Sequence, residues 1–283
     1  ISRAIPDLSR GLIVKTGVAI GLTLGVRIGG VLLWGYLGLC FVVGGWFWRS
    51  KGGMRLFVSF LSIFSLSYLV MVFFWPWAQV HPFTGPWQAM ETFSEFLEPH
   101  YNFFDGQHIQ STEIPRSYAL QWLGLTLPEF VFVGLIGWLV WQVSRRVLML
   151  DQGLLLLCAL FPIGYAVVSG MPLYDGIRHL LFVVPPLVVL AALGLDALLS
   201  RIPTRLGLGV AGILLGFAAY EMIHLHPFES AYFNRVFAGG VARAAERYDT
   251  DYWYNGFRQG LQWVESLRQD KKIRLGSFFG PLS

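Results

Sequence analysis

MRLFVSFLSIFSLSYLVMVFFW, residues 54–75, decides the fold class. One charge, Arg55, stands near its start, and neither Gly nor Pro interrupts it. The hydrocarbon core of a bilayer takes about 20 apolar residues of helix. Inside that core every backbone N–H and C=O must be satisfied within the segment. The run is therefore predicted to be a membrane-spanning helix. Outward from it the same signature returns over 31–48, 126–144, 152–170 and 179–200, and in a lighter, Gly-rich form over 206–224. A shorter run, 11–26 (GLIVKTGVAIGLTLGV), reads as a short or tilted helix that breaks at Arg27-Ile28-Gly29-Gly30. The expectation is six spans, with a seventh at 11–26.

Composition agrees. Of 283 residues, 55% are hydrophobic and 13% charged, against about 25% charged in an ordinary soluble domain. That balance excludes a soluble globular protein and a disordered one. The net charge of +4 is spread over loops and forms no basic face, which excludes a nucleic-acid partner. Cys40 and Cys158 both fall inside apolar runs, so neither a disulfide framework nor a cysteine metal site is expected. The predicted fold class is an all-α polytopic membrane protein. Its helix bundle covers 1–224 with an outer loop at 76–125. An extracytoplasmic segment, 225–283, reads as the start of a soluble C-terminal domain. The chain opens at Ile1 and closes just after KKIRLGSFF, which reads as a strand, so it is expected to be part of a longer protein.

Lys and Arg in short loops set orientation. Arg49, Lys51 and Arg55, then Arg145 and Arg146, then Arg201 and Arg205 mark three loops as cytoplasmic. Between them, loop 76–125 carries Arg116 against Glu91, Glu95, Glu98, Asp105 and Glu113, and loop 171–178 carries only Arg178. These two loops and the tail then face outward. So do all six histidines: His81, His100, His108, His179, His224 and His226. Any chemistry is expected on that face.

Four segments could carry it. Loop 76–125 is too long for a mere connector. Trp87 to Leu97 has helical spacing, with Trp87, Met90, Phe93, Ser94 and Leu97 on one face, as in a helix lying in the interface plane. At the second segment, MPLYDGIRHLLFVVPPLVVLAALGLDAL (171–198), Arg178 and His179 stand where an outer loop enters a span, and Pro185-Pro186 reshape its first turns. Arg suits bidentate contact with phosphate oxygens; the plainer reading is snorkelling to the headgroups. Arg27 lies either at membrane depth, where a charge is a functional hypothesis, or in an outer turn. In the tail, FRQGLQWVESLRQ reads as an amphipathic helix. Asp249 and Asp251, followed by Tyr252, Trp253 and Tyr254, could bind a cation or sugar, or simply pack a domain.

Taken in order, GVAIGLTLGVRIGGVLLW, IPRSYALQWLGLTLPEF, GIRHLLFVVPPLVVLAALGL and HPFESAYFNRVFAGGVARAAERYDTDYWYNGFRQGLQWV resemble successive segments of the dolichyl-phosphate-mannose protein mannosyltransferase superfamily, which includes the bacterial lipid-A aminoarabinose transferase type. The resemblance implies the GT-C fold, an extracytoplasmic active site, a polyprenyl-phosphate sugar donor and inversion at the anomeric centre. It implies donor-phosphate contacts from Arg178 and His179, with Tyr174 and Asp175 beside them. The family's catalytic acid lies in the first outer loop, expected upstream of Ile1, so no catalytic base is assigned. Acids and histidines of loop 76–125 could position the acceptor or a divalent cation; His100, Asp105, Arg116 and Tyr118 are the residues named for that loop site. No ligand spacing is strong enough to name a metal site, and no cofactor is assigned. The expected partners are the polyprenyl-phosphate sugar and membrane lipid, with the acceptor open. The rival readings are a transporter subunit, which predicts repeated halves and midplane charges, and a non-catalytic membrane scaffold whose loop and tail bind a partner.

Overall fold

The structure is a computed structural model and describes residues 8–47, 53–95, 100–251 and 255–267. It is mostly helical. Among the described residues four helices are long and apolar enough to cross a membrane: Gly53–Phe74, Leu150–Ser169, Arg178–Leu199 and Thr204–Leu225. A fifth results if the helices Tyr118–Thr126 and Glu129–Arg145, bent by 109° from each other, form one span. Helices do form at all seven expected places, but Arg10–Val26 and Val31–Phe47 stop at 17 residues each. The span expected from 126 is also revised. Pro128 removes a backbone N–H and pushes Leu127 into extended backbone (φ −76°, ψ 137°), which ends one helix and starts another.

The chain folds as two compact units, each described in turn. The first holds α1 (Arg10–Val26), α2 (Val31–Phe47), α3 (Gly53–Phe74), α4 (Pro76–Val80) and α5 (Gly85–Glu95), with residues 142–164 and 183–190. Its backbones approach closely. A Cβ on Gly21 would lie 2.6 Å from both the Ser67 carbonyl oxygen and the Val70 Cβ, and one on Gly17 would meet Leu66 at 2.9 Å. Small residues spaced by four let α1 lie directly on α3. Ile20, Leu24, Leu37, Ile63 and Met71 fill the space, ringed by Trp34, Phe41, Phe60 and Tyr68. The polar thread is short: Trp34 Nε1 donates to Ser67 Oγ at 2.8 Å, and that hydroxyl donates to the Phe64 carbonyl at 2.8 Å. Arg27 caps α1 in an exposed position before a 3-10 helix at Ile28–Gly30. The helix expected from Trp87 is α5; its extension to Leu97 lies outside the described residues.

The second unit holds 100–141, 165–182 and 191–283. An antiparallel hairpin opens it, β1 (Tyr101–Phe104) with β2 (Gln107–Gln110), where the all-α expectation had only loop. Asp105 and Gly106 both have positive φ, 54° and 78°. That is the type I′ geometry which an Asp-Gly pair favours. Next come α6 (Tyr118–Thr126) and α7 (Glu129–Arg145), then α8 (Leu150–Ser169), much of which belongs to the first unit. A 3-10 helix, Arg178–Val183, leads into α9 (Val184–Leu199). Pro185 and Pro186 stand in the first turn of α9, where their missing N–H groups cost no helix bond. α10 (Thr204–Leu225), α11 (Val241–Ala244) and α12 (Phe257–Ser266) complete the fold. The expected strand at 271–279 and the cluster at 252–254 lie outside the described residues.

Two devices hold this unit. α7 and α9 meet backbone to backbone: a Cβ on Gly194 would lie 1.9 Å from the Gly134 carbonyl oxygen. The tail is tied in by Asn234, which is fully buried. Its Nδ2 donates to the carbonyls of Gly124 (2.6 Å) and Leu127 (2.9 Å), and its Oδ1 accepts from the N–H groups of Phe237 and Ala238. One side chain thus satisfies the carbonyls freed where α6 breaks from α7. Beside it Glu129 accepts the N–H groups of Arg235 (2.7 Å) and Val236 (3.2 Å), and Arg235 pairs with Glu221 at 2.6 Å.

Candidate functional site

The site grows from the loop before α9. Tyr174 precedes two residues in left-handed backbone, Asp175 (φ 55°) and Gly176 (φ 68°). For Asp this conformation is uncommon and must be held by its surroundings. Asn102 of β1 holds it. Only 2% exposed, Asn102 accepts the Asp175 N–H at 3.1 Å and the Tyr118 hydroxyl at 3.2 Å through Oδ1, and donates to the Leu173 carbonyl at 3.4 Å. The Tyr118 hydroxyl in turn accepts the Gly176 N–H at 3.1 Å. Hairpin, loop and α6 are therefore joined at one polar knot under the loop.

The turn so fixed aims its side chains together. Arg178 Nη1 pairs with Asp175 Oδ2 at 2.6 Å, and its guanidinium carbon lies 4.6 Å from the Tyr174 ring centroid, a cation–π distance. Arg178 Nε donates to His179 Nε2 at 3.4 Å. His100 stacks on Tyr174 with centroids 4.1 Å apart and planes at 11°, and His179 meets Tyr174 edge-on at 4.6 Å. All five side chains are half-buried.

A second carboxylate approaches from the tail. Asp249 Oδ2 accepts the Phe103 N–H at 2.8 Å, and the Asp249 N–H donates to the Phe103 carbonyl at 2.9 Å. Tyr248 bridges to Phe104, and Arg247 pairs with Asp105, so the tail lies along the hairpin. Burial pushes the Asp175 carboxyl above its usual range, against the pull of Arg178 and His100. Burial pushes Asp249 up as well, and Asp175 adds repulsion; the Phe103 N–H and His108 oppose both. Rings of Phe104, Tyr118, Trp122, Phe233 and Tyr248 pack beneath.

Of the residues singled out in the sequence, Arg178, His179, Tyr174, Asp175 and His100 come together. Tyr118 lies below them as a buried support. Asp105 stands at the exposed hairpin turn with Arg247, and Arg116 lines a narrow cleft with Tyr118, Ala119, Ala166, Met171 and Leu173. Asp251 turns its carboxylate to the N–H groups of Asn255 and Gly256, which immediately precede α12. Among the described residues no group of three or more His, Cys, Asp or Glu side chains is arranged to hold a metal ion. The sequence reading passed over Asn102 and Asn234; the Asp-Gly pair flanked by FF and QHIQ was the signal for the hairpin that carries Asn102. No family model, curated protein or solved structure matches the chain.

Proposed function

We propose that this chain is part of a GT-C glycosyltransferase that moves a sugar from a polyprenyl-phosphate donor to an acceptor at the extracytoplasmic membrane face, with inversion. The observation that carries the reading is the clamped cation at the head of an apolar helix. Arg178 begins the helical stretch Arg178–Leu199, which is long and apolar enough to cross a membrane, and it is steered by Asp175, Tyr174 and His179. A lipid-linked sugar phosphate makes the matching demand: an anionic head at a cation, a tail in lipid.

In the transfer, the acceptor oxygen attacks the anomeric carbon as the bond from that carbon to the phosphate oxygen breaks. The leaving phosphate gains negative charge, and a fixed guanidinium stabilises that charge more in the transition state than before it. Asp175 and Tyr174 position Arg178, and His179 shares its neighbourhood. His100, stacked on Tyr174, belongs to the wall that an acceptor or sugar ring would meet. The acceptor's proton goes to a general base, and the reading assigns that role to no residue of this chain.

The test uses membranes containing the full-length protein and labelled polyprenyl-phosphate sugars. A charge-assisted contact is worth roughly 1.5–3 kcal/mol, so Arg178→Ala should slow transfer on the order of tenfold to a few hundredfold. Arg178→Lys should recover part of it, because the planar fork is lost. Turnover of the Ala variant within about twofold of wild type, little more than 0.4 kcal/mol, would sink the assignment. The reading also fixes topology. A membrane-impermeant reagent on intact cells should label Gln107→Cys and spare Ser144→Cys; the reverse pattern inverts the orientation. One observation favours a second reading, a non-catalytic scaffold: Arg178 is already paired with Asp175. A scaffold predicts no transfer by the wild type with any labelled donor.

A further inference from the structure

We infer that α12 is an in-plane membrane anchor, a helix whose apolar face lies in the lipid surface beside the outer end of α10. The inference rests on reading α10 as a span, part of the topology proposed above.

The helix FRQGLQWVES turns 100° per residue, which sorts it cleanly. Phe257, Leu261, Val264, Trp263 and, just past its end, Leu267 fall on one arc. Arg258, Gln259, Gln262, Glu265 and Ser266 fall on the other. No residue of α12 is buried, and Phe257, Trp263 and Leu267 are 47%, 64% and 55% exposed. A helix of 10 residues is below the roughly 12–15 at which isolated helices become even marginally stable in water. A surface that receives its apolar arc supplies what its length does not.

Position selects the surface. Asn255, just before the helix, donates its side-chain N–H to Ser230 Oγ at 3.3 Å, and Ser230 lies in the 3-10 turn Glu229–Ala231 that follows the end of α10 at Leu225. The first turn of α12 therefore starts where α10 leaves the bilayer. Val236 and Phe237, 70% and 59% exposed, follow Arg235, which pairs with Glu221 in the last turns of α10, and Phe237 lies against Phe132 at the start of α7. Trp263 sits at the boundary between the two arcs, where an amphipathic ring meets the headgroups. One Arg and one Glu leave the polar arc neutral, so apolar burial rather than attraction to anionic lipid provides the binding.

The experiment uses the full chain with Cys40→Ala and Cys158→Ala, reconstituted in phosphatidylcholine vesicles. Single cysteines are introduced at Trp263→Cys, Gln262→Cys and, in mid-α10, Ile213→Cys, and each carries an environment-sensitive fluorophore. Nitroxide lipid should quench the label at 263 at least about twofold more than the label at 262, with a blue-shifted emission. The label at 213 should be quenched by deeper nitroxides. Quenching at 213 together with a label at 263 no more lipid-accessible than that at 262 overturns the anchor alone. A label at 263 shielded from lipid and from aqueous iodide alike means that protein covers the face, and also overturns it. Absence of lipid quenching at 213 removes the span and the anchor with it.

Discussion

Glycine-bearing helices approach closely in both compact units, but the second unit also holds non-helical chain, and by other means. In the first, α1 lies on α3 by backbone approach: glycines leave no side chain between the helices, and the polar thread from Trp34 through Ser67 to Phe64 is short. In the second, the non-helical chain is held by directional bonds that reach across the sequence, from Asn234 to Gly124, Asp249 to Phe103 and Asn102 to Leu173. The contrast follows from solvent. Apolar helices satisfy their own backbone and need only shape from a neighbour. A hairpin and a wandering tail expose donors and acceptors that must each find a named partner. Precise polar geometry is therefore found where the second mode operates, and that is where Arg178 sits.

Substitutions at three positions test the contrast, in falling order of effect. Gly21→Leu should cost more than about 3 kcal/mol, because overpacking a tight site has no easy relaxation. It puts a branched side chain where even a Cβ meets the Ser67 carbonyl at 2.6 Å. SDS-driven unfolding followed by circular dichroism reads it, and near-wild-type resistance would mean that α1 is not held by close approach. Asn234→Ala should cost about 2–4 kcal/mol, since buried carbonyls and N–H groups lose their partner at roughly 1–3 kcal/mol each. Asn234→Asp keeps the acceptor but turns a buried carboxylate oxygen toward the Gly124 and Leu127 carbonyls, and should cost at least as much as Ala. Hydrogen exchange at Phe237 and Ala238 that is unchanged in the Ala variant would show that bonding is not what fixes the tail.

The smallest effect is a pH dependence. Asp175 and Asp249 have carboxyls raised above the usual 3.8, so over the interval from 3.8 up to the raised values the folded state holds more protons than the unfolded. Stability therefore falls as pH rises through that interval, and the penalty is absent below it. Asp249→Asn removes one raised group and the repulsion it exerts on Asp175, and its Oδ1 can still accept the Phe103 N–H. As pH rises from 3.8 through the raised range, melting of the variant should vary less than melting of the wild type. An identical slope would mean that the Asp249 carboxyl is not raised in the folded state.

Much of the helical frame was legible because hydropathy acts over whole segments: the runs at 54–75, 152–170, 179–200 and 206–224 became the long helical stretches Gly53–Phe74, Leu150–Ser169, Arg178–Leu199 and Thr204–Leu225. Arg178, His179, Tyr174 and Asp175 were legible as a group because they are sequence neighbours at a span's mouth. The break at Leu127-Pro128 was written locally but outweighed by apolar residues on both sides. Asn102 and Asn234 were not legible as supports. Each works through partners far along the chain, 71 residues for the Leu173 carbonyl and 110 for that of Gly124, and no local pattern records such a pairing.

Asn234 has a consequence for synthesis. The carbonyls of Gly124 and Leu127 leave the ribosome more than a hundred residues ahead of the amide that satisfies them. At 5–20 residues per second the wait is on the order of ten seconds. Throughout it α6 and α7 already exist while their elbow borrows water or a transient partner. A chain stopped short of residue 234 would carry α1 to α10 and never lock that elbow, so a segment made later closes a joint made earlier.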